Sequence, residues 1–239
     1  MRGIAGRWRT GRESPDEGVA LVAAVLALGL VSAIALGMAI LASTDPAIAA
    51  NSEGAAAAGY AAEAGLVIAA AELQDIPDWS AVLAGTIRSA VLSDSQAALT
   101  LPDGRLLDLV RVTHVLNCGR PTVCTAGQLD QPTAERPWGR NNPRWRVYGH
   151  ASTGDLWGGD ELLPSFHVVA WVGDDPAEED GAPETDDASE EVPFRGGGGI
   201  IYVRTESFGP RGAHAARTGT VLRVPGTPVV RIAAQSTVR

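Results

Sequence analysis

The sequence predicts an α+β fold in which a long N-terminal transmembrane helix precedes a small antiparallel β-sheet domain. The run from Val19 to Thr44 carries no charged residue, and an Ala-rich stretch of helix-forming residues continues to residue 76. Short segments rich in β-branched residues then recur through the rest of the chain. Several strands that follow one long helix favour an antiparallel sheet over alternating strand–helix–strand units.

The uncharged run is long enough to cross a lipid bilayer, which requires about 20 apolar residues. It is longer than the apolar core of a secretory signal peptide, which usually has about 7–15 residues. A buried helix in a soluble protein rarely extends this far without a polar face. Before the run lie four basic residues, Arg2, Arg7, Arg9 and Arg12. They predict a cytoplasmic N-terminus and a single pass, with the rest of the chain outside the cytoplasm.

These patterns divide the chain into three parts: a leader (1–18), a transmembrane and extended helix (19–76), and a periplasmic or extracellular α+β domain (77–239). Within the helix, Asp45-Pro46 is expected to cause a break or a kink, and Pro77 is expected to end it. Residues 78–95 predict a short second helix or a loop with a helical turn.

The predicted strands are Ala97–Leu101, Arg105–Leu116, Trp145–His150, Ser165–Val172, Ile200–Ser207, Thr220–Val224 and Val229–Ala233. Pro102-Asp103-Gly104 is a turn signal between the first two of them. His114 and His167 fall within strand patterns. The domain core is expected to contain four tryptophans, Trp138, Trp145, Trp157 and Trp171.

Two cysteines, Cys118 and Cys124, are the complete set in this chain. An even number of cysteines in an exported protein favours a disulfide, whereas a reducing compartment would leave two free thiols. The short spacing predicts a local clip between Cys118 and Cys124 rather than a link that stabilises the whole fold.

An acidic segment, residues 174–191, contains ten acidic side chains among 18 residues and no basic one. Such a composition is typical of a solvated loop that does not form a packed core. The alternative is a Ca²⁺ site, because Ca²⁺ binds several carboxylate oxygens. Its candidate ligands are Asp174, Asp175, Asp180, Asp186 and Asp187, although their spacing differs from that of an EF-hand loop.

Composition and motifs argue against several classes of function. The formal net charge of −9 disfavours electrostatic binding of nucleic acid. The sequence contains no phosphate-binding loop of the Walker type, no Gly-x-Ser-x-Gly motif and no His-Glu-x-x-His motif. The four histidines lie far apart and show no zinc-ligand spacing. We therefore expect no catalytic site and a structural role rather than enzymatic activity.

Two stretches resemble the type IV pilin superfamily and, within it, the PilX-type minor pilins. The first is Gly18-Val19-Ala20-Leu21-Val22, where a polar segment changes abruptly to the apolar run. The second is residues 58–66, AGYAAEAGL, which is similar to the signature that follows the membrane helix in that family. The resemblance covers roughly residues 14–75, and weaker similarity occurs at residues 205–212 and 235–237.

The resemblance implies that a prepilin peptidase cuts after Gly18 and that Val19 becomes a methylated N-terminus. It implies an inner-membrane protein that is later transferred to a pilus, with other pilins or minor pilins and membrane lipid as partners. The implied function is pilus assembly, priming or tip formation, with a role in adhesion. Two alternatives remain: a tip pseudopilin of a type II secretion system, and an uncleaved single-pass anchor for a binding or enzymatic domain.

The sequence departs from the pilin pattern at two places. Ala23 occupies the fifth position after the implied cut, where major pilins carry Glu. A carboxylate in an apolar core is costly unless a partner charge compensates it, so Ala23 favours a position at the tip rather than along the filament. Asp16 and Glu17 precede Gly18 where basic residues are usual.

Overall fold

The computed structural model describes residues 16–101, 103–158, 165–177, 182–186, 199–224, 227 and 229–238, with the backbone alone at residues 16, 17, 41 and 43–45. The chain divides into two compact units, Met1–Ala50 and Asn51–Arg239. We call the second the sheet unit. The coarse sequence prediction is confirmed, because an apolar N-terminal helix is followed by an antiparallel sheet of five strands.

The first helix, α1, runs from Asp16 to Asp75 and ends two residues before Pro77, as expected. A break at Asp45-Pro46 does not occur, because α1 continues through Pro46, and a kink there stays a prediction. A proline removes one backbone donor at its own position but leaves the hydrogen bonds of the following turns in place. Helix α2 (Ser80–Leu83) supplies the single helical turn expected within residues 78–95.

The remaining elements of the sheet unit are short. The described helices are α3 (Leu109–Cys118), α4 (Ala126–Leu129) and α5 (Thr153–Trp157), with 3-10 turns at Gly139–Asn141 and Pro210–Gly212. The strands are β1 (Ala98–Thr100), β2 (Leu106–Asp108), β3 (Arg146–Ser152), β4 (His167–Asp174), β5 (Ile200–Phe208), β6 (His214–Arg223) and β7 (Val230–Val238).

Strands β3 to β7 form one antiparallel sheet in sequence order, and β1 pairs with β2 in a separate hairpin. Strand β4, which is buried at every residue after His167, lies between β3 and β5, with Trp171 opposite Val147 on one side and Arg204 on the other. Strand β6 starts earlier than the sequence predicts, because the hairpin between β5 and β6 begins as soon as Phe208 pairs with His214. Strand β7 ends later than predicted, because it stays paired with β6 as far as Val238.

The two faces of the sheet bury different side chains. One face packs against the C-terminal part of α1 and the turn around α2, where Leu66, Leu73 and Trp79 are fully buried. The opposite face carries Val169 and Trp171, which pack under β1 and α3. The sheet unit is therefore a sheet between two layers, with strand β4 covered on both faces.

One predicted strand is wrong. The chain from Leu109 to Cys118 forms helix α3, not the continuation of a strand that would end at Leu116, so His114 lies on a helix. The Asp108 side chain accepts hydrogen bonds from the backbone N–H groups of Val110 and Arg111 and thereby caps the first turn. Gly119 then ends the helix in the left-handed conformation, with φ of 72°.

The tryptophan predictions are partly wrong. Trp145 and Trp171 are buried, as expected. Trp138 and Trp157, in contrast, are 42% and 57% exposed. Trp138 immediately precedes the 3-10 turn at Gly139–Asn141, and Trp157 ends α5, so neither side chain has a sheet face to cover.

Candidate functional site

The apolar N-terminal segment, Gly18–Ile40, is the most apolar stretch of α1. Its large hydrophobic side chains are all between 51% and 69% exposed, so they form no core of their own. By length and composition this segment could cross a membrane or act as a signal sequence, and Pro46–Asp75 passes the same test while being partly buried. Contact with lipid or with the apolar surface of another helix would remove these side chains from water.

The implied processing site lies at the start of this helix. Gly18 and Val19 are both exposed, and a Cβ atom built on Gly18 would have no neighbour within 4 Å. The arginines of the leader, Arg2, Arg7, Arg9 and Arg12, lie outside the described residues. Ala23 is exposed like the rest of the segment.

The inner face of α1 in the sheet unit is built of small residues. Gly65 is packed so closely that a Cβ atom there would lie 2.4 Å from Cγ1 of Val168 on β4. A side chain at this position is therefore excluded, and the helix backbone can approach the sheet. The buried residues of this face recur at helical spacing: Ala58, Ala61, Ala62, Leu66, Ala69, Ala70 and Leu73.

Two hydroxyl groups on β5 hold this face of the helix. The Thr205 hydroxyl donates to the carbonyl oxygen of Ala62 at 2.7 Å, and the Ser207 hydroxyl donates to that of Ala58 at 2.6 Å. Both side chains are fully buried. Buried hydroxyls need a partner, and these two find it in helix carbonyls that small residues leave accessible. The motif AGYAAEAGL therefore packs on the strand that also carries residues 205–208.

The outer face of the same helix stretch is exposed. Tyr60, Glu63, Val67, Ala71 and Gln74 follow one another at intervals of three or four residues and share this face. Tyr60 is 74% exposed and Val67 is 54% exposed. The motif thus presents its aromatic and acidic residues to the surroundings and its small residues to the sheet.

The end of α1 is fixed by Arg223 at the end of β6. Its guanidinium donates to the carbonyl oxygens of Ile76 at 2.7 Å and Pro77 at 2.8 Å. The same group lies 4.5 Å from the centre of the Trp79 ring, in a cation–π contact. These contacts satisfy carbonyl groups that the helix leaves without an intrahelical donor.

The predicted disulfide is present. Cys118 and Cys124 are bonded, with their Cα atoms 6.1 Å apart. The bond joins the last residue of α3 to the turn before α4, and Val123 inside the loop is 78% exposed. It is a local clip, as its spacing predicts.

The predicted calcium ligands are only partly within the described residues. Asp174 and Asp175 are buried at the end of β4. Burial raises the pKa of Asp175, and this effect outweighs the hydrogen bond from the Ala177 N–H, which lowers it. The Asp186 side chain accepts a hydrogen bond from the Gly199 N–H. Asp180 and Asp187 lie outside the described residues. Within the part of the chain that is described, no group of three or more His, Cys, Asp or Glu residues is placed to hold a metal ion.

A buried acid is paired across the hairpin of β5 and β6. Glu206 is 5% exposed and accepts from Arg204 at 2.7 Å and from Nε2 of His214 at 2.9 Å. Burial favours the neutral acid, but the His214 hydrogen bond and the Arg204 charge outweigh it, so the pKa of Glu206 lies below its ordinary value.

A cleft of about 710 Å³ opens between α3, β3 and the loop that follows α2. Arg88, Arg144 and Arg146 line it together with two carboxylates, Asp94 and Glu184. This cleft is in the size range of small-molecule sites. It combines residues that are far apart in sequence, so sequence reasoning missed it; the nearest signal was the cluster of arginines around Trp145.

His150 and Tyr148 form one wall of this cleft on β3. Burial lowers the pKa of His150, although the Asp94 carboxylate, 3.8 Å from Nδ1, opposes this effect. Burial also raises the pKa of Tyr148, and the nearby charge of Glu72 raises it further. Both side chains are therefore neutral at physiological pH, and the arginines dominate the charge of the cleft.

The account of the site given so far comes from the structure and the sequence of this chain alone. Comparisons of the chain with protein-family models, curated proteins and solved structures found no match.

Proposed function

We propose that the protein is a minor pilin-like structural subunit of a type IV pilus machine, anchored in the inner membrane and acting in assembly, priming or tip formation. It is a building block rather than an enzyme. The observation that carries the proposal is the division of α1 into two segments. Gly18–Ile40 is uncharged and exposed, and the following small-residue segment packs on an antiparallel sheet.

The composition of the exposed segment suits a helix that moves from lipid into contact with other protein helices. Its side chains are all apolar or small, so lipid tails and the apolar helices of sister subunits are equivalent environments for it. Gly29 and Gly37 have nothing within 4 Å of a Cβ position, which leaves room for close helix–helix approach. A subunit that must leave the membrane and join a helical bundle requires these properties.

The motif at residues 58–66 supports the same proposal from the packing side. Ala61, Ala62 and Gly65 are needed for close contact with β4 and β5, whereas Tyr60 and Glu63 face outward and play no part in that contact. Internal packing therefore explains the small residues of the motif but not its aromatic and acidic ones. Contacts with neighbouring pilins account for Tyr60 and Glu63.

The proposed life cycle follows from the resemblance of the leader and the helix. A prepilin peptidase cuts between Gly18 and Val19, the new N-terminus is methylated, and the helix waits among inner-membrane lipids before it joins other pilins. Ala23 leaves no carboxylate to pair with a neighbouring N-terminal amine. A position at the tip, where such a pairing is not needed, fits this residue.

Assembly in the native host tests the proposal. Substituting Gly18→Val should block processing and remove the protein from sheared surface pili, whereas Gly29→Val in the same exposed helix should leave processing intact. If the Gly18→Val protein is incorporated into pili as efficiently as the unaltered protein, the proposal is wrong. If the unaltered protein is absent from pili but present in a secretion pseudopilus, the type II secretion alternative is correct.

A second function is favoured by one specific observation. The cleft beside Arg146 could serve an extracytoplasmic binding domain held by an anchor that is never cleaved. In that case the Gly18→Val substitution would have no effect on the mature protein, and changes in the cleft would abolish function.

A further inference from the structure

The charge of the cleft is opposite to that of the chain. The whole protein has a formal net charge of −9, yet the cleft is lined by three arginines against two carboxylates. Positive side chains concentrated in a concave site attract anions more strongly than the same charges spread over a surface. The net charge of the protein therefore does not account for this cluster.

The three arginines differ in how they are already used. Arg144 is paired with Asp130, a residue outside the cleft, and its side chain is largely buried. Arg146 pairs with Glu184 at 3.0 Å, and both side chains are well exposed, at 40% and 62%. Arg88 is exposed and forms no hydrogen bond or ion pair with any residue that the structure describes. Arg88 and Arg146 are thus the two available to a ligand.

These two arginines lie on neighbouring parts of the same wall. The turn at Gly85 approaches Arg146 so that a Cβ there would lie 3.6 Å from the Arg146 Cδ. The loop is then fastened to β3 by a hydrogen bond from the Ser89 N–H to the Tyr148 carbonyl at 2.9 Å. The loop is fastened again by the Glu72 carboxylate, which accepts from the N–H groups at positions 90 and 91. The arginine-bearing wall is therefore preorganised.

Most of the accessible surface of the lining is apolar, although polar side chains such as Ser93, Gln96 and Asn117 also border the cleft. Val110 and Val123, which are 53% and 78% exposed, are apolar side chains that border the cleft. A bare inorganic anion would leave this apolar surface without a partner. The volume of the cleft, about 710 Å³, is also much larger than a single ion would fill. A ligand that combines an anionic group with an apolar body matches both parts of the lining.

An ion pair within the chain indicates which kind of anionic group the cleft binds. The Arg146 guanidinium is already paired with the Glu184 carboxylate, so a carboxylate can reach and bind this arginine. Because both partners are well exposed, this internal pair contributes little stability and can be replaced by an incoming carboxylate. We propose that the cleft binds a small organic carboxylate, with its charged end at Arg88 and Arg146 and its apolar body against Val110 and Val123.

This inference goes beyond the proposed function and does not depend on processing at Gly18. Its test uses the full chain in detergent, with benzoate as the probe and benzamide as its uncharged counterpart, titrated by saturation-transfer difference NMR. Benzoate should bind saturably, and benzamide should bind at least about tenfold more weakly, because it lacks the charge-assisted hydrogen bonds.

Matched variants locate the site. Arg88→Ala and Arg146→Ala should each weaken benzoate binding by about tenfold, whereas Arg231→Ala, an exposed arginine on β7, should not change it. Glu184→Gln should tighten binding by removing the internal competitor, and Glu63→Gln on the exposed face of α1 should not. Melting temperatures of the variants should match that of the unaltered protein, since the altered side chains are exposed.

Four results would overturn the proposal. They are absence of saturable benzoate binding, equal binding of benzoate and benzamide, equal effects of Arg88→Ala and Arg231→Ala, and displacement of benzoate by inorganic phosphate at the same concentration. The last would mark a general anion site without recognition of an apolar body.

Discussion

Gly65 on α1 lies directly against Val168 on β4, so closely that a Cβ atom at position 65 would be 2.4 Å from the Val168 Cγ1. Real Cβ atoms do not come this close to another carbon, and Val168 is fully buried and cannot move aside without disturbing the sheet. The glycine in the stretch AGYAAEAGL is therefore required by the packing of the helix on the strand.

The substitution Gly65→Ala should destabilise the sheet unit by about 1–3 kcal/mol, because an added methyl group overpacks a filled contact. Gly54→Ala in the same helix is the control. Its Cβ would lie 3.6 Å from that of Ala213, an ordinary contact, and alanine is a better helix former than glycine by about 1 kcal/mol. Thermal unfolding followed by tryptophan fluorescence should show a lower melting temperature for Gly65→Ala and an unchanged or higher one for Gly54→Ala. The reverse order would refute the close packing.

Thr205→Val tests the hydroxyl contact between β5 and α1. Valine keeps the shape of threonine but cannot donate to the Ala62 carbonyl, so unfolding should become easier by about 1 kcal/mol. Thr237→Val on the exposed part of β7 should change the free energy of unfolding by less than about 0.5 kcal/mol. Chemical denaturation of the three proteins gives the comparison. Equal midpoints for both variants would mean that the buried hydroxyl contributes nothing specific.

Glu206→Gln tests the contacts of Glu206 with Arg204 on the same strand and with His214 across the β5–β6 hairpin, and its effect should depend on pH. The folded protein holds the pKa of Glu206 below its ordinary value of 4.5, so the unfolded chain takes up a proton first as the pH falls. The stability that Glu206 contributes is therefore complete at pH 7 and is lost below about pH 4.5.

The variant should accordingly be less stable than the unaltered protein at pH 7, by about 1–3 kcal/mol, since Arg204 and His214 lose a charged acceptor. The difference in melting temperature between the two proteins should shrink at pH 3. A difference that stays constant between pH 7 and pH 3 would contradict the lowered pKa.

Replacing both Cys118 and Cys124 with Ser should have a modest effect. The short loop that the disulfide closes restricts the unfolded chain little, and chain-entropy arguments give about 2 kcal/mol. The circular dichroism of the β-sheet should persist while the melting temperature falls by a few degrees. Thiol-reactive reagents should label the unaltered protein only after reduction. Complete loss of folded structure on double substitution would show that the bond supports more than the end of α3.

The strands of the sheet can be predicted from the sequence more readily than helix α3, which packs on the sheet. Strands around Val168 and Val203 are rich in β-branched residues that are buried on one face or both, which is a strong local signal. The stretch Val110–Val115 carries the same residue types but folds as a helix, because the Asp108 cap and the Gly119 terminator determine its ends. Those two signals were present in the sequence and outweigh the β-branched composition.

The cleft could not be predicted in this way. Arg88 belongs to an irregular loop and Arg146 to the start of β3, and the hydrogen bond from the Ser89 N–H to the Tyr148 carbonyl that brings them together joins two backbone groups. Backbone contacts leave no mark in the residue types. The pairing of Glu206 with His214, in contrast, follows from the hairpin register once the turn at residues 209–213 is recognised.

The central claim is that α1 enters the membrane as a precursor and is released for assembly by a cut before Val19. Intact-mass measurement of the protein extracted from the membrane fraction tests it most directly. The account predicts a chain that begins at Val19 with a methylated amine. A membrane-bound chain that still begins at Met1 would contradict it.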